Sequence, residues 1–399
     1  MSAAAASQET APALSLFLCG DVMTGRGIDQ LLPQPSRPQL FEGYVTDARD
    51  YVRLAEAANG PIARPVALDY IWGEALAEID RFAPQLRLVN LETAVTTAED
   101  AWPGKGIHYR MHPANVGCLT AARIDGCVLA NNHVLDWGRD GLAETLRVLH
   151  AAGIRTAGAG ANEEDAAAPA VFELPGGRVL LFAAAAETSG VPRRWRATRD
   201  SAGVHLLEDF GAHGAAQWAA RIAMQRQPGD TVIASLHWGG NWGYAIGREE
   251  RAFAQALIDG GVDLVHGHSS HHARAFEVYR ERLILYGCGD FINDYEGIGG
   301  HQSYRGDLAL AYFVRLRNGR LQALNLLPFQ SRRLRLRRAS QADTRWLLGT
   351  LNRECWPFGV GLVPGEGGGL RAEIVGRSGG HTPAHDRQDA SDNGHGAKG

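Results

Sequence analysis

Leu14-Ser-Leu-Phe-Leu-Cys-Gly-Asp21 is an apolar run of strand length that ends in a carboxylate. Four more runs follow the same plan. Leu86-Arg-Leu-Val-Asn-Leu leads to Glu92, and Gly126-Cys-Val-Leu-Ala leads to Asn131-Asn132-His133. Thr231-Val-Ile-Ala-Ser-Leu leads to His237, and Gly261-Val-Asp-Leu-Val leads to His266-Gly-His268-Ser-Ser-His271-His272. Stretches with helical spacing lie between them, as at Leu142, Leu146 and Leu149 and from Arg251 to Gly260. Alternation of this kind marks a layered α/β domain. In such sheets, ligand-binding side chains gather beyond the carboxyl ends of the strands. Carboxylate, amide oxygen and imidazole together suit Zn, Mn or Fe rather than a thiolate site. The strand ends therefore point to one metal-dependent hydrolytic centre.

The chain has 399 residues, 45% hydrophobic and 21% charged, enough to bury a large core. A net charge of −4 gives no ground for nucleic acid or an anionic membrane as partner. The lack of an aromatic-basic stripe argues against a nuclease. The five cysteines (Cys19, Cys118, Cys127, Cys288, Cys355) are scattered, several inside apolar runs, and read as reduced core residues in a reducing compartment. Met1 to Thr10 lacks the basic region and apolar core of a secretory signal. The longest apolar runs, such as Val179 to Ala186, are too short for a bilayer. A soluble, cytoplasmic protein without a membrane span is expected.

Residues 1–13 read as a flexible leader and 14–335 as the main domain. Within it, 31–71 is long for a simple connection and reads as a cover that overhangs the site, with a helix over Tyr51–Ala58. Residues 336–363 form a C-terminal packing segment with a helix over Gln341–Arg353. From Pro364 to Gly399 the chain offers little to bury and is expected to be a disordered tail, its histidines (His381, His385, His395) incidental. In Ser331 to Arg338, leucines alternate with arginines, the pattern of a strand with a solvated basic face.

Asp21 is placed to be a hard anionic ligand, and Arg26, between Gly25 and Gly27, to hold a substrate phosphate or carboxylate as a bidentate donor. Glu92 is a carboxylate that can link two cations. An asparagine oxygen of the Asn131-Asn132 pair can bind a divalent ion without adding charge. His133 is the candidate general acid, oriented by Asp136 three positions on. Four histidines between His266 and His272 cannot all bind one ion; His268 and His271 are favoured, with His237 as a third imidazole. Asp290, in the glycine-rich Tyr286-to-Tyr295 stretch, is expected to line the substrate site, which lacks the Lys-Ser/Thr of a P-loop. Lys105 and Arg110 are expected to add positive charge at the mouth.

Taken together, Gly20-Asp21-Val-Met-Thr-Gly-Arg26, Asn90-Leu-Glu92, Asn131-Asn132-His133-Val-Leu-Asp136-Trp-Gly, His237-Trp-Gly, Gly267-His268-Ser-Ser-His271 and Tyr286-Gly-Cys-Gly-Asp290-Phe resemble the CapA family of poly-γ-glutamate capsule synthesis proteins. That family is similar to the calcineurin-like metallophosphoesterases. The resemblance runs from Ser15 to Tyr295. It implies a four-layer α/β/β/α sandwich with one or two divalent ions at the strand ends. It also implies Asp21, Glu92, Asn132, His237, His268 and His271 as ligands, and His133 as acid. Departures stand out. Met23 takes the place of the superfamily's first-motif histidine, and two serines separate His268 from His271 where one residue is usual. Many CapA relatives carry a glutamate near Asn241 and an asparagine at the place of Asp290, and membrane-anchored relatives carry an amino-terminal hydrophobic segment. The implied activity is metal-dependent hydrolysis of an anionic phosphoester or γ-glutamyl amide in poly-γ-glutamate or capsule metabolism. The alternative is a non-catalytic accessory component that binds a glutamyl polymer.

Overall fold

The structure, a computed structural model, describes residues 12–374. Strand β1 (Leu14–Val22) lies beside β2 (Leu86–Leu91), followed by β3 (Gly126–Val128) and β4 (Arg155–Ala157), all parallel. The chain then builds a second sheet from β5 (Ala170–Leu174), β6 (Gly177–Ala185), β7 (Thr231–His237), β8 (Leu264–His268), β9 (Phe276–Tyr279) and β10 (Arg282–Leu285), in the order β9-β10-β8-β7-β6-β5. Its four central strands are parallel and the outer two antiparallel to their neighbours. The chain returns to the first sheet with β11 (Asp290–Ile292) along the end of β1, and with β12 (Leu308–Arg317) antiparallel to β1. The antiparallel strands β13 (Arg320–Ser331), β14 (Val360–Pro364) and β15 (Leu370–Ile374) complete the order β14-β15-β13-β12-β1-β2-β3-β4.

Side-chain alternation along the second sheet shows how it is layered. Val179, Leu181, Ala183, Ala185, Ile233 and Leu264 join the core that also holds Leu16 and Leu18 of β1. Their neighbours Leu180, Phe182, Ala184, Val232, Ala234, Leu236 and Val265 join a separate core with Trp218 of the helix Ala212–Gln225 and Phe253 and Leu257 of the helix Arg248–Asp259. One face of the sheet thus meets the first sheet and the other meets helices, as the period of two requires. By the same parity, Ser235, His237, His266 and His268 lie on the face toward the first sheet. There the core changes from apolar at the start of the strands to polar at their ends, while all four side chains stay buried.

The joint between β1 and β11 depends on Gly20. A Cβ there would lie 1.8 Å from the Gly289 carbonyl oxygen, which also accepts the Asp21 N–H at 3.1 Å. That carbonyl is backbone, so no side chain can rotate aside. Gly20→Ala should cost about 1–3 kcal/mol in urea unfolding, and a neutral result would mean that the two strands have slack at this point.

Two segments bear on the expected organisation. Leu31, Leu32, Val52, Ala55, Ile62, Val66 and Ile71 all belong to the main core, so the cover and its helix Arg49–Asn59 are integral to the domain. At the carboxyl end, 364–374 was expected to be disordered. Instead it closes β14 onto β15, and β15 pairs with β13. Leu370 supplies its buried side chain, beside Leu362 of β14. On the outer side of β14, the Asn352 amide donates to the Leu362 carbonyl at 2.9 Å and accepts from the Leu362 N–H at 2.6 Å. The rest of the expected tail, and the leader before residue 12, lie outside the described residues. Among the described residues no helix is long and apolar enough to cross a membrane.

Candidate metal centre

Sheet register assembles the centre. In the parallel pairing of β1, Asp21 stands opposite Asn90 of β2 and Asp290 of β11. In the second sheet His237 stands opposite His268. Asp21, His237 and His268 each offer a ligand atom within 4.8 Å of the others, and so do Asp21, His271 and Asp290. Donors about 2.0–2.3 Å from one ion lie at most about 4.6 Å apart, so each trio is close to that limit or inside it. Asp21 belongs to both. The Nδ1 atoms of His237 and His268 face each other at 2.8 Å, and Asp21 Oδ1 lies 3.9 Å from the latter. Nitrogen and carboxylate donors converging in this way fit a borderline divalent cation such as Zn, Mn or Fe.

Burial penalises charge throughout this cluster. It raises the carboxyl groups of Asp21 and Glu92 above their usual range, with each acid's neighbouring carboxylate adding to the effect. It lowers the imidazoles of His237 and His268. His271 is the exception: burial opposes its charge, but Asp290 Oδ1 at 2.9 Å from Nδ1 outweighs burial and raises it. Asn90 donates to Asp21 Oδ1 at 2.7 Å, and the Ser269 N–H donates to Oδ2 at 3.2 Å, so both oxygens are held in place.

The other expected site residues fall into three groups. Glu92 lies between the cluster and His133, with Oε1 3.7 Å from His133 Nε2; it is not in either trio. Asn132 Oδ1 lies 3.0 Å from His237 Nε2, whereas Asn131 braces the loop, donating to Asn90 and the Leu91 carbonyl and accepting the His133 N–H. His133 and Asp136 are joined, Nδ1 to Oδ2, at 2.6 Å. Burial lowers His133 to about 4, against the pull of Asp136.

The three cations expected around the mouth are otherwise engaged. Lys105 Nζ, half-buried, packs against Asp136, the Asn132 carbonyl and His133. Arg26 donates to Asp294, Glu42 and Tyr51, all buried. Arg110 donates to the Ala98 and Arg37 carbonyls and lies over the Trp137 ring. Asp290, expected to touch substrate, sits at ligand distance instead. Met23 meets the Tyr295 hydroxyl through its sulfur at 3.7 Å. A cleft of about 620 Å³ opens beside His271, lined among others by Trp242, Tyr295, His301 and Arg332, with Tyr44 and Tyr51 from the cover.

Comparison with known proteins places this geometry. The model of the family described as "Bacterial capsule synthesis protein PGA_cap" matches residues 15–295. A "Probable polyglutamine synthesis accessory protein" of Mycobacterium tuberculosis is 49% identical over 88% of this chain and 93% of its own length. "PGA biosynthesis protein CapA" of Bacillus subtilis is 26% identical over 70% of this chain and 63% of its own. "Capsule biosynthesis protein CapA" of Bacillus anthracis is 24% identical over 70% and 60%. The matched span begins in β1 and ends just past β11, so it takes in the strand that carries Asp21, the strand that carries Asp290 and every candidate ligand between them. The chain belongs to the PGA_cap family of bacterial capsule synthesis proteins.

Proposed function

We propose that the protein is a metal-dependent hydrolase acting on an anionic phosphoester or γ-glutamyl amide in poly-γ-glutamate or capsule-type metabolism, with a helix–sheet–sheet–helix sandwich as its scaffold. The observation that carries this reading is the convergence of two donor trios on Asp21. Asp21, His237, His268, His271 and Asp290 would hold one or two divalent ions, with Asn132 and Glu92 beside them. When bound, such ions supply an activated water and neutralise developing charge. His133 holds its Nδ1 proton on Asp136, which leaves Nε2 facing the centre. Bare in the neutral ring, Nε2 would take a proton from the attacking water and pass it to the leaving group, with Asp136 stabilising the imidazolium formed in between. Lys105 fixes Asp136 from the other side. Anion recognition then falls to His301 and Arg332 along the cleft, since Arg26, Lys105 and Arg110 are engaged inside the fold.

A second reading, a non-catalytic accessory protein that binds a glutamyl polymer in the same cleft, draws support from the accessory role in the name of the 49% identical relative and from Met23. Metal analysis of the purified protein, followed by phosphoester and γ-glutamyl amide substrates with Mn, Zn or Fe, separates the two. Bound metal with turnover supports the hydrolase; polymer binding with neither metal nor turnover supports the accessory role.

Asp21→Asn tests the centre directly. A cation at a hundredfold excess over its Kd stabilises a fold by about 2.7 kcal/mol. Wild type should show that rise in melting temperature with added metal, and the variant should lose it. An equal rise in both would remove Asp21 from the ligand set. The cover has its own test. Tyr44 is 72% exposed and lines the cleft, so Tyr44→Ala should raise KM about threefold to tenfold, or roughly 0.7–1.4 kcal/mol, with metal content unchanged. Unaltered kinetics on every active substrate would make the cover a purely structural element.

A further inference from the structure

Ser235 and His266 lie behind the proposed centre. His266 Nε2 is 2.9 Å from the Cys19 carbonyl oxygen of β1, a bond that crosses from one sheet to the other. Ser235 Oγ is 3.0 Å from His266 Nδ1 and 3.0 Å from His268 Nε2. All three side chains are fully buried.

Hydrogen-bond direction orders these contacts. A carbonyl oxygen only accepts, so Nε2 of His266 carries its proton. A neutral imidazole has one N–H, so Nδ1 of His266 is an acceptor, and the Ser235 hydroxyl must donate to it. That uses the single Ser235 proton, and toward His268 the oxygen presents a lone pair. His268 Nε2 must therefore bear the hydrogen, and its Nδ1 is bare. This is the atom 2.8 Å from His237 Nδ1. His237 Nε2 faces an acceptor, Asn132 Oδ1, at 3.0 Å, so His237 Nδ1 is bare as well. Two bare ring nitrogens at this distance repel unless a cation lies against both.

We propose that Cys19 C=O, His266 and Ser235 form a relay that sets the tautomer of His268, presenting Nδ1 as a ready donor to a divalent cation. The inference rests on the metal-centre reading and deepens it: Ser235 and His266 are positioning residues that touch neither substrate nor metal. Without the relay, His268 is free to carry its hydrogen on Nδ1, and the cation must first displace it. Partners behind metal-binding histidines typically change affinity by about 10–100-fold.

Histidine tautomers are read by long-range ¹H–¹⁵N correlation in metal-free, ¹⁵N-labelled protein, and affinity by Zn²⁺ titration against a chelator. Wild type should show His268 protonated at Nε2. Ser235→Ala should mix the tautomers and weaken Zn²⁺ about 10–100-fold, and Ser235→Thr, which keeps the hydroxyl, should restore both. The relay is overturned if wild-type His268 carries its proton on Nδ1, if Ser235→Ala changes neither readout, or if Ser235→Thr fails as Ser235→Ala does, which would signal packing alone. Should wild type bind no Zn²⁺, Mn²⁺ or Fe²⁺, the metal reading falls, and the tautomer spectra still decide the relay.

Discussion

His133→Ala should lower kcat by about 10²–10⁴-fold, the usual contribution of a positioned general acid, while metal content stays at the wild-type level. The expectation follows from where the ring points. Nδ1 is held by Asp136, and Nε2 faces the centre but stands 3.7 Å from Glu92 and outside both donor trios. Metal content by mass spectrometry and single-turnover rates on an active substrate check the two halves separately. Loss of metal in the variant would make His133 a ligand, and the acid would have to be sought elsewhere. Asp136→Asn is the companion. It keeps the size of the side chain but presents an amide to a ring that needs an acceptor, and it also strips Lys105 of its buried carboxylate. Its turnover should fall with that of His133→Ala, and combining the two should add little, since both act through one proton.

Arg26→Met should destabilise the protein by about 3–5 kcal/mol, the usual effect of removing one member of a buried ionic cluster. The guanidinium donates to Asp294 at 2.5 Å and 3.2 Å, to Glu42 at 2.9 Å and to the Tyr51 hydroxyl at 2.9 Å, with the Tyr51 ring 3.9 Å from its carbon. Methionine replaces the packing and none of the charge. Two carboxylates would be left beneath the cover without their cation. Urea unfolding measures the loss, and Arg26→Met combined with Asp294→Asn and Glu42→Gln should recover part of it. A loss below about 1 kcal/mol, typical of exposed pairs, would mean that water reaches the cluster.

These two residues mark where sequence reasoning succeeds and where it stops. His133 and Asp136 sit three positions apart in one tight turn, so their pairing was legible from spacing. Strand-end residues were legible for a similar reason: an apolar run with a polar terminus is a local pattern. Arg26 looked like a substrate clamp because its partner Asp294 is 268 residues away and only the closed fold brings it near. Asp290 reads locally as part of a glycine-rich loop. It joins Asp21 because β11 inserts parallel to the end of β1, a register that no local pattern reveals. Ser235 was hidden inside an apolar run, and His266 stood among four histidines with no role assigned to it. The one available signal was parity, since both share a strand face with an anticipated ligand two positions on. The segment 364–374 has the composition of a tail, yet Leu370 suffices when β14 and an existing sheet offer an edge.

That edge has a bearing on solubility. An unpaired outer strand is a template on which a second chain can add itself. In the first sheet, the outer strands among the described residues include β4, only three residues long, and β14, which ends at Pro364. Proline offers no N–H for an incoming strand, and the middle of β14 is already occupied, because the Asn352 amide takes both outward groups of Leu362. One side chain thereby stands in for a neighbouring strand along this edge of the sheet.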